Sequence, residues 1–332
     1  MPEHRFEYVE RVREQGLSPP DETTLNRLWQ ILDEGVLGAA NHVRLTQELL
    51  VHVLQNVTDP SEAWTRAQDI ARFIAETRGE RAPVVGNVIR LLLDGLRTMA
   101  PEERLTALTN RIAAWQADSE HNRARLVATA VAALESHSTL IAYDYSSTVA
   151  AIVEAVCRAR PNSKIVVPES RAIAGGWRYL QAFVRQGIAV HYVLDAAFEQ
   201  ILDATAVVLL GAESLRCDGS LTNTVGSRPL ARLANWRQCP VFGCAELLKL
   251  DLRSYRGVFA QPGPRSFEHL LDGADLPANA RVTTEAAELE VVPAELITGL
   301  FTEHGLVPAS ALWSLGREVF GPVQDEPAHS DD

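Results

Sequence analysis

The residues able to do chemistry in this chain are acids that follow short apolar runs. Leu140-Ile141-Ala142-Tyr143 leads into Asp144-Tyr145-Ser146-Ser147-Thr148, and Lys164-Ile165-Val166-Val167 leads into Glu169-Ser170-Arg171. Val190-His191-Tyr192-Val193 precedes Asp195, Ala206-Val207-Val208-Leu209-Leu210 precedes Gly211-Ala212-Glu213-Ser214, and Pro240-Val241-Phe242-Gly243-Cys244 precedes Glu246 to Lys249. A single acid in such a place is an ordinary helix cap. Five of them predict a polar crevice, because buried charge is tolerated only where partners or solvent compensate it.

The neighbouring residues have two readings each. Ser146 and Ser147 open a helix, where hydroxyls and free amides can hold a phosphate, and where serine also serves as a simple cap. Arg171 can clamp a phosphate or carboxylate through two parallel hydrogen bonds, or it can form a surface ion pair. Lys249 can hold a phosphate or meet Glu213, or it can pair with Glu246 or Asp251. Gly219, after Asp218, marks a tight turn.

These residues need elements to position them. Continuous apolar runs separated by ten to twenty residues of helical pattern specify a parallel sheet covered on both faces. In such a sheet, ligands bind beyond the carboxyl ends of the strands. Before residue 136 the rhythm is helical throughout. Leu28, Ile31 and Leu32 recur after Pro20-Asp21-Glu22, and Val43, Leu45, Leu49, Leu50, Val53 and Leu54 form a second stripe. Asp59-Pro60-Ser61-Glu62 opens a third helix, and Ala100-Pro101-Glu102-Glu103 opens a long one ending near Ser136. The expected organisation is a helical domain over 1–136, a doubly wound Rossmann-like α/β domain over 137–322, and a disordered acidic tail over 323–332.

Composition narrows the function. The 332 residues are 46% hydrophobic and 22% charged, which suits a folded chain of about two domains. Lys+Arg is 31 against Asp+Glu 43, a net charge of −12 that argues against nucleic acid or anionic membrane as a partner. Lys164 and Lys249 are the only lysines, an arginine bias that points to a GC-rich, bacterial genome. The amino terminus has no signal-peptide h-region, and the longest apolar stretch, 204–212, is far short of the about 20 residues that span a bilayer. Cys157, Cys217, Cys239 and Cys244 form no CxxC, so no structural zinc and a reducing cytoplasm are expected. The nine histidines form no ligand-spaced cluster. GxGxxG, GxxxxGK, GxSxG and HExxH are absent, so neither a metal nor a cofactor is expected.

Taken in order, these signatures resemble the superfamily of translation initiation factor 2B alpha/beta/delta subunits, methylthioribose-1-phosphate isomerases and ribose-1,5-bisphosphate isomerases. The matching stretches are Val167-Pro168-Glu169-Ser170-Arg171, Val193-Leu194-Asp195-Ala196-Ala197 and Gly211-Ala212-Glu213. They continue through Asp218 to Ser227, Ala245-Glu246-Leu247-Leu248-Lys249, Val292 to Ile297 and Thr302 to Pro308. Arg81-Ala82-Pro83 looks like a diluted Arg-Gly-Ala-Pro element of the isomerases.

The resemblance implies binding of a phosphorylated sugar or nucleotide and a homodimer formed through the α/β domain. It implies substrate-binding roles for Arg81, Ser146, Ser147, Arg171, Asn223, Gly226 and Lys249. The chain also departs from the isomerases. Asp144 stands where they carry a catalytic cysteine, Glu213 where they carry an aspartate, and Asn223-Thr224 where they carry Asn-Lys. Gly175-Gly176 replaces their Gln-Gly. Two carboxylates facing each other across a closed crevice can replace the Cys/Asp pair, since proximity raises one pKa and yields an acid and a base. The expected activity is therefore isomerisation of a phosphorylated pentose by Asp144 and Glu213. The alternative is a regulatory subunit that senses a sugar phosphate or nucleotide without turnover, as Tyr145-Ser146 and Ala245 to Lys249 look closest to the initiation-factor alpha subunit.

Overall fold

A computed structural model describes residues 8–13, 20–32, 39–259, 263–277 and 279–321. Contacts divide the chain into two compact units, Met1–His121 and Asn122–Asp332. The predicted boundary at 136 lies just beyond the long helix in which that division falls, and the expected acidic tail lies outside the described residues.

The first unit is helical. Residues 8–13 are helical, followed by α1 (Glu22–Leu32), α2 (Ala39–Asn56), α3 (Pro60–Arg81), α4 (Pro83–Leu93) and the first part of α5 (Pro101–Ala133). Local chemistry sets the helix starts. Thr24 donates its amide and hydroxyl to Asp21 at 2.9 and 2.7 Å. Asp59 caps α3 by accepting from Ser61 N and Glu62 N, with Pro60 in the first turn. Leu28 and Ile31 of α1 and Leu49, Leu50 and Val53 of α2 are buried, so the two periodic stripes form the inner faces of packed helices.

In the second unit a seven-stranded sheet has the order β12-β11-β7-β4-β1-β2-β3. Its strands are β1 (Thr139–Tyr143), β2 (Lys164–Pro168), β3 (Val190–Val193), β4 (Ala206–Leu210), β7 (Val241–Cys244), β11 (Gly299–Thr302) and β12 (Gly305–Val307). All neighbours run parallel except β11 and β12. The helices after the strands include α6 (Ser147–Ala159), α7 (Gly175–Arg185), the short α8 (Phe198–Ile201) and α9 (Ser227–Trp236), with α10 (Leu312–Phe320) closing the described chain. Central β1 and β4 are buried at every position, whereas edge strand β3 is half-exposed. That contrast explains why the central runs are uninterrupted by polar residues while β3 contains His191 and Tyr192.

From β1 the chain steps outward to β2 and β3, then returns to place β4 on the other side of β1. The reversal between β1 and β4 is the topological switch point, where diverging connections leave a crevice at the carboxyl ends. A second sheet of order β10-β6-β5 was not apparent from the apolar runs. It consists of β5 (Ser214–Leu215), β6 (Leu221–Thr224) and β10 (Leu289–Val292), all antiparallel. A hairpin of β8 (Pro264–Ser266) and β9 (Glu285–Ala287) precedes β10.

Candidate functional site

The site grows from the residue that follows β1. Asp144 is only 7% exposed and adopts a left-handed backbone with φ 55°, as a strand that must turn sharply into a helix requires. Its two oxygens have separate partners: Thr224 Oγ1 donates to Oδ2 at 2.8 Å, and Ser170 Oγ donates to Oδ1 at 3.1 Å. Burial pushes the Asp144 pKa up to about 6, the hydroxyl bonds oppose that rise, and the charge of Glu213 adds to it.

Backbone geometry shapes the surroundings. Ser170 (φ 49°) and Ala174 (φ 52°) are also left-handed. Asp195 holds this loop by accepting from Ser170 N at 2.9 Å and Arg171 N at 2.8 Å. Gly175 starts α7 against Asp144, since a Cβ there would lie 2.0 Å from Oδ1. The change from Gln-Gly to Gly175-Gly176 thus accompanies a close approach of helix and carboxyl group.

Glu213, half-buried one turn beyond β4, donates its amide to Thr222 O at 2.8 Å. Lys249 donates its ammonium to the carbonyl of Ala212. It also favours the charged form of Glu246, whose pKa is raised chiefly by burial and then by Glu303. Asp251 is engaged by Arg253 at 2.9 Å instead. Asn223 is buried and donates Nδ2 to Ser227 Oγ at 2.9 Å.

Ser146 is the N-cap of α6, its hydroxyl accepting from Val149 N at 3.4 Å, and Ser147 begins that helix exposed. Gly226 (φ 104°) donates its amide to Glu290 Oε1 at 2.7 Å. Arg228 N reaches the same oxygen at 2.8 Å, so a carboxylate of the chain already occupies the start of α9.

The structure brings the charge of Glu213 to bear on Asp144 and sets Lys249 on the carbonyl of Ala212, next to Glu213 in the chain, with Ser146 at the head of α6 beside Gly211. Asn223 follows Thr222 and precedes Thr224 on β6, but its side chain turns to Ser227 at the head of α9. It turns the Arg171 guanidinium outward: that side chain is 64% exposed and lies 3.9 Å from Glu169. Arg81 ends α3 in the helical unit and is exposed. Sequence reasoning did not single out Thr224, Ser170 or Glu290. The first two lay inside quoted motifs, while Glu290 carried no signal, because only the pairing of β10 with β6 sets Glu290 opposite Asn223. Among the described residues, no group of three or more His, Cys, Asp or Glu side chains comes together to hold a metal.

Residues 35–309 match the Initiation factor 2 subunit family. The chain belongs to this family. Among relatives of this family member, the ribose 1,5-bisphosphate isomerase of Haloterrigena turkmenica is 26% identical over 265 residues, covering 77% of this chain and 81% of that protein. The ribose 1,5-bisphosphate isomerase of Methanocaldococcus jannaschii is 23% identical, covering 71% and 75%. The Pyrococcus horikoshii translation initiation factor eIF-2B superposes with a TM-score of 0.72 at 19% identity, covering 87% of this chain and 98% of that one. The 5-methylthioribose 1-phosphate isomerase of P. horikoshii gives 0.69 at 17% identity, covering 89% and 87%. The family's fold thus extends over both units of the chain.

Proposed function

We propose that this family member binds a phosphorylated pentose beyond the carboxyl ends of β1 and β4 and moves its carbonyl between C1 and C2. Asp144 carries the reading. A buried carboxyl group that titrates at about 6 can both take and return a proton near neutral pH, which a surface aspartate does poorly. In the aldose-to-ketose direction the bond from C1 to the ring oxygen breaks, one carboxylate removes the C2 proton and a proton is returned to C1. The proton on the C2 oxygen passes to the released ring oxygen, leaving the phosphate on C1 intact. Asp144 acts at carbon, and the half-buried Glu213 serves the oxygens. Asn223, Lys249, Ser146 and Ser147 hold hydroxyls and phosphate. The name shared by the curated relatives supports this substrate class.

The test is deuterium exchange. The protein, incubated in D2O with ribose 1,5-bisphosphate or methylthioribose 1-phosphate, is expected to incorporate label at C1 of the ketose product. Tight binding without any exchange would leave a second reading, a sugar-phosphate or nucleotide sensor. That reading is favoured by Thr224 and Ser170, which occupy both Asp144 oxygens.

The same reading takes 1–136 and 137–322 as the working domains and the protein as a cytoplasmic homodimer joined through the α/β domain, without nucleic-acid or membrane partners. The four free thiols support the reducing compartment. The exposed apolar side chains Trp177, Val184 and Leu194 support association of the α/β domains. No described helix is long and apolar enough to cross a membrane.

A further inference from the structure

The helical unit carries a cleft that the proposed reaction leaves unused. It is an open groove of about 430 Å3 among residues of α1, α2 and α5, which is room for a small molecule. Its lining includes three side chains whose donor nitrogens are unanswered. Gln47 is 3% exposed, and its Nε2 has no acceptor. His52 Nε2 is likewise buried and without a partner. The tautomer follows from its neighbour: the Asn56 amide nitrogen donates to His52 O at 2.8 Å and faces His52 Nδ1 at 3.1 Å. Nδ1 is thereby the acceptor, and Nε2 bears the hydrogen. The third is Arg27, which lines the cleft and makes no ion pair among the described residues.

The acid in the lining does not answer these donors, because Glu48 is taken by Arg44 at 2.7 Å. Asp21, close by, has both oxygens engaged by Thr24. The cleft thus holds an excess of donors beside an apolar wall of Val51 and Ile112. A group with several acceptor oxygens and a net negative charge satisfies all three donors together. We propose that this cleft binds the phosphate group of a small organic phosphate, with Arg27, Gln47 and His52 as donors. This site is separate in sequence from the strand-end residues and does not rest on the isomerase reading.

The experiment is arginine modification by phenylglyoxal on the full chain, followed by mass spectrometry, with inorganic phosphate as the probe. Arg27 is expected to react about threefold more slowly once phosphate reaches twice its dissociation constant. Gln47→Leu is expected to abolish that protection while leaving the phosphate-free rate unchanged, and His52→Phe gives the same readout if the first variant does not fold. Equal Arg27 rates with and without phosphate would overturn the proposal, as would protection by sodium chloride at matched ionic strength. Arg171 in the same samples reports on the strand-end region, so the two readings fail separately.

Discussion

Thr224 donates its hydroxyl to Asp144 Oδ2 at 2.8 Å across a sequence separation of 80 residues. The bond joins the end of the central strand of one sheet to the last residue of a strand in the other. It decides how much charge Asp144 can carry in its buried position, because a hydroxyl donated to a carboxylate favours the ionised form. Thr224→Val is expected to raise the Asp144 pKa above about 6, and Thr224→Ser to restore it. The carboxyl 13C titration of Asp144 measures this directly, and an unchanged midpoint in the valine variant would remove Thr224 from the site.

Asp144 also ties stability to pH. Its folded pKa is raised from 3.8 to about 6, so the native state holds this proton more tightly than the unfolded chain. The contribution favouring the fold is complete below pH 3.8 and is lost as pH rises through about 6. The loss amounts to about 3 kcal/mol. Asp144→Asn is expected to flatten this part of the melting-temperature profile and, on the proposed isomerisation, to lower turnover by about 10²-fold or more. Parallel profiles for the two proteins would show that the carboxyl group is not the source.

Much of this arrangement was legible in the sequence. The uninterrupted apolar runs could only be strands covered on both faces, and the acids behind them had to lie at one edge of the sheet. Asp144 and Glu213 are neighbours there because β1 and β4 pair directly. What the sequence did not disclose depends on register and backbone turn. Thr224 and Asn223 enter from a separate antiparallel sheet whose strands are too short to show a period. The outward course of Arg171 follows from the left-handed Ser170 and the two amides fixed by Asp195. An amino-acid string does not reveal that turn when no glycine marks it.

Gly175→Ala probes the approach of α7 to the carboxyl group. The added Cβ would lie 2.0 Å from Asp144 Oδ1 and 3.0 Å from Tyr145 N, so either the helix start or the acid must move. A destabilisation of about 1–3 kcal/mol in urea unfolding is expected, with loss of the elevated Asp144 pKa. Gly187→Ala, which meets nothing within 4 Å but has a positive φ, serves as the control for backbone strain without a clash.

Glu290 anchors the head of α9 through the amides of Gly226 and Arg228. Glu290→Ala is expected to cost about 1–3 kcal/mol because two partly buried amides lose a charged acceptor. Glu290→Gln keeps an acceptor oxygen and should cost less. Chemical denaturation of the two variants ranks them, and an alanine variant as stable as the glutamine would show that the cap contributes nothing.

The pairing of Asp144 with Thr224 has a consequence for biogenesis. A chain emerging from the ribosome carries the aspartate long before the threonine, and until β6 is laid down the carboxyl group lacks one of the two hydroxyls that define its acidity. The acidity of Asp144 is therefore set only once both sheets have joined. On the proposed isomerisation, recovery of activity during refolding is expected no earlier than the docking of β6 onto the end of β1, which the carboxyl titration of Asp144 would report independently.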